Sequence, residues 1–474
     1  MMKKLVKGVM LGFALVCLSI PVWSAVRLPA LISDNMVLQQ GRPAPIWGWA
    51  DKGEVVTVNL GEQQYTTKAG DDGRWKIELK KLKPGNVLEM IVKGSSGNSL
   101  TVKNILVGEV WICSGQSNMH WTFSKGHGVL NNETELANAN YNDIRMFTVA
   151  KGGTPEPAED AKGAWLTINR ENLLVDGENG ASVLAYFFGR ELFQKLNIPV
   201  GLINTSVGGT PAEKWTKREA LEANPDLKAL SGKGGSSTLY NAMIAPLIPY
   251  AIRGAIWYQG ESNLDRAYQY RTLFPAMIAN WRSEWKQGNF PFGFVQIAPY
   301  RYKGQNPENY PELCEAQTMT LKSSPNTGMA VTADIGDVGN IHPKNKQEVG
   351  RRLALWAMAK VYGKKQMVYS GPLYKSMKIK GNQIVLNFDQ RGSGLTSGDG
   401  KSLVEFTIAG ADKAFVQAKA EIVGNTIVVS SDKITNPVAV RYAWHDDAQP
   451  NLANKEGLPA SSFRTDSWKG VTEK

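Results

Sequence analysis

Apolar and polar positions change rhythm twice along this chain. Between residues 26 and 103, short runs at 45–49, 55–60, 64–67, 75–79 and 88–92 alternate with a period of two. Turn residues part them, among them Asp51-Lys52-Gly53, Gly70-Asp71-Asp72-Gly73 and Pro84-Gly85. Short strands at this spacing predict a small β-sandwich-like domain over 25–104. From 105 to 374 the pattern is different. Runs at 107–113, 200–205, 254–258, 292–297 and 328–334 read as buried strands, with helical periodicity between them. Leu184, Phe188, Leu192 and Leu196 share one helix face, and Tyr270, Leu273, Phe274, Met277, Ile278 and Trp281 share another. Val349, Leu353 and Trp356 mark a third helix. Strands alternating with helices predict an α/β core with a five-stranded parallel sheet covered on both faces. Past 375 the two-residue alternation returns, at 383–388, 404–408 and 426–429, and predicts a terminal β-rich module over 375–474.

A parallel sheet binds its ligands beyond the carboxyl ends of its strands. Those ends carry the unusual residues here. The first strand runs into Ser114-Gly115-Gln116-Ser117-Asn118, a turn of small and polar residues that presents Ser117 as a candidate nucleophile. A serine hydroxyl needs a base and an oxyanion site. The second strand leads to Asn204-Thr205-Ser206-Val207-Gly208-Gly209-Thr210, where Gly208 and Gly209 let backbone N–H groups approach a ligand. The third leads to Gln259-Gly260-Glu261-Ser262-Asn263. Gln259 and Asn263 are neutral amides able to donate to an oxyanion, and Glu261 suits either positioning other groups or binding a substrate hydroxyl. The fifth leads to Asp334-Ile335-Gly336-Asp337-Val338-Gly339-Asn340-Ile341-His342-Pro343. Of four histidines, His120, His127, His342 and His445, only His342 sits between a sheet strand and a helix. A helix N-terminus disfavours the imidazolium, so a base here gains from a carboxylate, and Asp334 and Asp337 are both candidates.

Charge and composition narrow the class. The chain has 474 residues and a formal net charge of +11, with basic residues spread along it. No basic block is interleaved with aromatics, which argues against nucleic acid as partner. Lys3, Lys4 and Lys7 precede an apolar stretch at 9–20, followed by small residues around Ser24. This reads as a signal peptide over 1–24, too short to span a bilayer, so the protein is expected to be secreted or periplasmic without membrane insertion. Of three cysteines, Cys17 lies in that segment, and Cys113 and Cys314 are expected to be buried free thiols. Trp444-His445-Asp446-Asp447 is too thin for a metal site, and no metal or other cofactor is expected. Oligomeric state is left open.

The motifs GQSNM, SVGGTPAEKW, WYQGESN and DIGDVGNIHPKNKQEVGRRLA, in this order at strand ends, resemble the sialate O-acetylesterase family, a branch of the SGNH hydrolases. The segments Ser33 to Gln40 and Asn454 to Ala460 are similar to it too, so the resemblance covers nearly the whole chain. It implies a flavodoxin-like core over 105–374 with Ser117 as nucleophile and His342 as base. It also implies oxyanion donors from Gly208, Gly209, Gln259 and Asn263, and removal of acetyl groups from sugar hydroxyls without a metal. The partner is then an acetylated sugar or glycan, with Trp215 available to stack on a sugar face. Acetylated plant polysaccharide is an alternative substrate, and a glycan-binding protein with an inactive esterase core an alternative class. Two positions depart from the family pattern. The acid usually three residues before the histidine is Gly339 here, so Asp337 is expected to orient the ring, with Asp334 or a backbone carbonyl as alternatives. His120 follows GQSNM where an acid is more usual, and is expected to line the pocket.

Overall fold

The computed structural model describes residues 26–124, 128–175 and 180–473. The segment read as a signal peptide, with Cys17, and His127 lie outside them. The central sheet is built from β1 (Ser99–Gly115), β2 (Asn140–Thr148), β3 (Trp165–Asn169), β4 (Val200–Ser206), β5 (Gly254–Tyr258), β6 (Phe292–Val295) and β7 (Thr327–Ala330). Across the sheet the order is β7-β6-β5-β1-β4-β2-β3. Neighbours are parallel except β2 and β3. The expectation of five strands is therefore corrected to six parallel strands and one antiparallel edge strand. The five anticipated strands, counted along the chain, lie in the order 2-1-3-4-5 of doubly wound folds. Two strands were not anticipated, β2 and the edge strand β3; β2 opens on Asn140-Tyr141-Asn142-Asp143 and is buried only from Ile144 onward. Its polar start hid it. β7 stops at Ala330, so Asp334 lies in a loop and not at a strand end.

Helices cover both faces because alternate residues of each strand point to opposite sides. α1 (Ser117–His120) follows β1; α2 (Val183–Leu196), α3 (Ala267–Trp285), α4 (Asn309–Ser323) and α5 (Lys346–Lys360) pack on the sheet. α2 packs on α5, and α3 on α4. Trp111 of β1 lies against Phe188 of α2 and Trp356 of α5. On the opposite face Trp257 of β5 lies against Trp215, Phe274 and Trp281. Trp356 needs space beside the sheet, and two glycines provide it. A Cβ on Gly328 would fall 2.0 Å from the Trp356 indole nitrogen, and one on Gly293 would fall 2.6 Å from its ring.

β1 is also the link to the N-terminal module. Its first half pairs antiparallel with Leu88–Gly94, and its second half is the centre of the parallel sheet. The expected boundary between 104 and 105 thus falls inside one strand, and a single hydrophobic core runs through both parts. Buried Glu109 reinforces the junction: it accepts from Arg253 at 2.5 and 2.9 Å, from Gln40 at 2.5 Å and from Tyr362 at 3.0 Å. The C-terminal part is two four-stranded sheets and a two-stranded pair, Leu395–Ser397 with Leu452–Asn454, around a core of its own that includes Ile384, Leu386, Phe406, Ile427, Val440 and Phe463. It docks through Arg464 on Glu315 at 2.9 Å and Asp446 accepting from the Tyr302 N–H at 2.8 Å. Cys113 and Cys314 are free and buried, and burial pushes the Cys314 thiol up to about 12. No helix of the described residues is long and apolar enough to cross a membrane.

Replacing Gly328 with alanine is expected to cost about 1–3 kcal/mol, because Trp356 is fully packed and has nowhere to shift. Urea denaturation of the variant checks this; an unchanged midpoint would show that the indole can move.

Candidate active site

Gly115 ends β1 with φ at +143°, and a Cβ there would lie 2.2 Å from the Tyr258 carbonyl oxygen. Only glycine lets the strand end pass so close to β5. The next residue is tied to the same place: the Gln116 N–H donates to Tyr258 O at 2.9 Å, and Gln116 Oε1 accepts from Ser262 N at 3.3 Å. Ser117 then opens the one-turn helix α1, half-buried at the carboxyl edge of the sheet.

The glycine loop after β4 stacks on this turn. Val207 N donates to Gly115 O at 3.1 Å. Gly208 sits so close that a Cβ on it would meet Ser117 Cβ at 3.5 Å. Gly209 has φ +68° and faces open space. Both glycines are exposed, so their backbone borders the mouth of the site.

His342 arrives from the loop after β7. Its Nε2 is 2.8 Å from Ser117 Oγ, and its ring stacks on Trp121 with centroids 4.5 Å apart at 24°. The His342 N–H donates to Asn340 Oδ1 at 2.9 Å. Asp334 is committed elsewhere: its two oxygens accept from Arg352 at 2.6 and 2.7 Å. Asp337 is exposed, and its Oδ1 accepts from the Gly339 N–H at 2.9 Å, closing a turn ahead of the histidine. His120 lies one turn after Ser117, with Nε2 at 2.9 Å from Lys151 Nζ.

Four expected roles are corrected by the amide loop after β5. Gln259 is fully buried: its amide donates to Thr210 O at 3.2 Å and Asn263 Oδ1 at 2.7 Å, and its oxygen accepts from Tyr270 at 2.9 Å. Asn263 Oδ1 also accepts from Ala212 N at 2.9 Å, and its Nδ2 donates to Glu213 at 3.0 Å. These amides are consumed in holding 210–213 beneath the glycine loop, so neither is available to an oxyanion. Trp215 is fully buried, its indole N–H on Thr210 Oγ1 at 3.0 Å, and packs in the core instead of on a sugar. Glu261 turns inward as well. Its Oε1 accepts from Asn118 at 2.8 Å, and its Oε2 is buried without a hydrogen-bond partner. Burial raises its pKa, against the opposing effects of the Asn118 bond and Lys346.

Sequence reasoning missed three residues around the Ser117–His342 contact. Trp121 supports the imidazole face. Asn118 donates to the Ile341 carbonyl at 3.0 Å as well as to Glu261. Lys346, in the first turn of α5, is buried with its ammonium on Asn118 Oδ1 at 2.7 Å and Pro343 O at 2.6 Å. Burial lowers its pKa to about 7, offset in part by Glu261. The only signal in the sequence was the adjacency of Asn118 to Ser117; a lysine in a first helical turn ordinarily reads as solvated. Beside the histidine loop a cleft of about 840 Å³ opens toward the C-terminal module, with Asp337, Pro343 and Asn345 on one side and Gln449 and Asn451 on the other. Among the described residues no cluster of His, Cys, Asp and Glu is arranged to hold a metal ion.

A serine and a histidine in contact at the carboxyl edge of a doubly wound sheet, with exposed glycine backbone beside them, define the class of serine ester hydrolases. Comparison with known proteins agrees. Residues 107–359 match the family model described as carbohydrate esterase, sialic acid-specific acetylesterase. The chain is 34% identical over 400 residues to the sialate O-acetylesterase of Homo sapiens, covering 76% of each. It is 32% identical over 461 residues to that of Pongo abelii, covering 88% of this chain and 87% of the relative. A carbohydrate acetylesterase from Xanthomonas citri superposes with a TM-score of 0.87 at 38% identity, over 94% of this chain and 100% of the other. The chain belongs to the sialic acid-specific acetylesterase family of carbohydrate esterases, and its activity is hydrolysis of acetyl esters on carbohydrate.

The amide loop yields a test of its corrected role. Asn263→Ala removes bonds to three partners and is expected to cost about 1–3 kcal/mol of stability together with activity. Thermal melts and kcat measured side by side check it. A loss of kcat at unchanged melting temperature would restore Asn263 as an oxyanion donor.

Proposed function

We propose that Ser117 attacks the acetyl carbonyl of an O-acetylated sugar while His342 takes its proton at Nε2. The observation that carries this reading is the 2.8 Å contact between Ser117 Oγ and His342 Nε2. The bond formed is Oγ to acetyl carbon. The tetrahedral intermediate collapses when His342 returns the proton to the leaving sugar hydroxyl. Water, activated by the same imidazole, then releases acetate from the acetyl-enzyme. Backbone N–H groups at Ser117 and at Gly208 or Gly209 hold the oxyanion. Their support is the approach of Gly208 to Ser117 and its exposure to the mouth. Trp121, flat against the ring, limits the imidazole to one plane.

Asp337 acts on His342 through the turn it closes onto Gly339, as a positioning residue. His120 borders the pocket one turn from the nucleophile, its imidazole held by Lys151. The substrate is an acetylated sugar of the sialate kind, by likeness to the named relatives. A second reading is acetylated plant polysaccharide; its support is the cleft of about 840 Å³ that lies beside the histidine loop, lined by Asp337, Pro343 and the C-terminal module. The basic, apolar segment at 1–24 is read as the signal that sends the enzyme out of the cytoplasm.

Ser117→Ala is expected to lower kcat by up to ~10⁶-fold with the fold intact, and His342→Ala comparably. Asp337→Ala is expected to lose less than the ~10⁴-fold seen when a triad orienter is removed. Near-full turnover by a folded Ser117→Ala protein would remove the mechanism. Wild-type kcat in Asp337→Ala would leave the site a dyad. Acetate release from a panel of O-acetylated sialic acids and acetylated xylan ranks the two substrates; a clear preference for xylan would overturn the sialate reading.

A further inference from the structure

Two buried ionisable groups sit under the active site and take no part in the reaction just described. Glu261, from the loop after β5, and Lys346, from the first turn of α5, lie 85 positions apart and meet on one side chain, Asn118. Asn118 follows the nucleophile directly, so whatever fixes Asn118 fixes the turn that carries Ser117. Its Oδ1 accepts from Lys346 Nζ at 2.7 Å, and its Nδ2 donates to Glu261 Oε1 at 2.8 Å. The same Nδ2 donates to the carbonyl of Ile341, and Lys346 donates to the carbonyl of Pro343 at 2.6 Å. The two backbone carbonyls that flank His342 are therefore both held, one by Asn118 and one by Lys346. The oxygen count is unbalanced in an informative way. Glu261 Oε2 is buried with no hydrogen-bond partner, which is costly for a group that only braces a loop. A neutral glutamine would brace Asn118 equally well, without a charge to desolvate.

We propose that Glu261 and Lys346 are a buried countercharge couple, joined through Asn118, that positions the histidine loop against Ser117 and balances the electrostatic potential at His342. The inference rests on the Ser117–His342 reading above. Neither residue touches the reacting atoms; both are positioning residues.

The neighbourhood holds few other charges. Facing Lys346 are Glu261 and the rings of Trp121 and Tyr258. Facing Glu261 are Lys346 and the side chains of Tyr258, Tyr270, Tyr302 and Cys314. Burial raises the pKa of each of those tyrosines and of the thiol, so they stay neutral. The couple thus brings one charge of each sign beneath the histidine loop, which on its own length carries Asp337. The Lys346 ammonium opposes formation of the imidazolium, and the Glu261 carboxylate favours it. At the pH where His342 loses its proton, each charge pulls the midpoint in its own direction.

The experiment is the acid limb of kcat/KM against pH for four proteins: wild type, Lys346→Met, Glu261→Gln and the double variant. Lys346→Met removes the positive charge and is expected to move the limb up by about half a pH unit or more. Glu261→Gln keeps the acceptor for Asn118, removes the negative charge and is expected to move the limb down by a similar amount. The double variant strands neither charge and is expected to return the limb to its wild-type position. Limbs that do not move, or that move the same way in both single variants, overturn the proposal and leave a bracing role only. Should one single variant fail to fold, the sign is read on the other and on Lys346→Arg, which keeps the charge and must leave the limb in place. A limb displaced as far by Lys346→Arg as by the charge-removing variant also overturns it. His342→Ala in the same assay separates the two readings. Wild-type turnover there ends the Ser–His mechanism, whereas an inactive His342→Ala with unmoved limbs ends only the countercharge couple.

Discussion

The contact between Ser117 and His342 spans 225 positions of chain, and each end is set by backbone with little freedom. On the serine side, Gly115 passes so near the Tyr258 carbonyl that no side chain fits, and Gln116 is tied to the same oxygen and to the loop after β5. On the histidine side, the loop is braced within itself by Asp337 and Asn340 and from outside by Asn118 and Lys346. A reacting pair gains from such preorganisation because little has to be reordered when substrate arrives. The sheet makes the meeting possible. β1 lies between β4 and β5, so the loops after those strands converge on its end, and the long loop after edge strand β7 crosses over to bring His342 to the same place.

Polar groups below the site are spent on holding loops, and the exposed donors above it are backbone. Gln259 and Asn263 look, by residue type alone, like the oxyanion donors, yet both are buried and bonded to Thr210, Ala212, Glu213 and Tyr270. Neutral side-chain amides suit this scaffolding role: they satisfy buried carbonyls and N–H groups without bringing a charge into the core. Glycine backbone at 208 and 209 suits the opposite role, because both residues are exposed, Gly208 against Ser117 and Gly209 toward open space.

Much of this was legible before any coordinates. The run ending at Cys113 and the small residues after it marked the turn that carries Ser117, and the helical faces at 184–192 and 270–281 are buried where periodicity put them. Ser117 and His342 were singled out by the same logic, as rare chemistry at strand ends, and the fold brings their side chains into contact. What escaped had no pattern to betray it. β2 hid behind a polar beginning, since only its second half is buried. Lys346 hid because burial of a charge is a property of tertiary packing, and nothing in a lysine's neighbours along the chain reports it; Glu261 was marked as a site residue, but its burial was not legible for the same reason. Trp215 was misread for a related reason: an aromatic near a site loop suits a sugar platform and a core filler equally, and only packing separates them.

The unbroken run of β1 from Ser99 to Gly115 has a mechanical meaning. A linker between modules would act as a hinge; a single strand shared by two sheets acts as a beam. Twisting the N-terminal module against the rest would shear hydrogen bonds on both sides of β1 at once, and would pull on the segment that ends in the nucleophile turn. Buried Glu109, bonded to Arg253 and Gln40, clamps that beam near its midpoint. The N-terminal module is thus the rigid mount of the serine, and its loss would leave β1 with half its length unsupported.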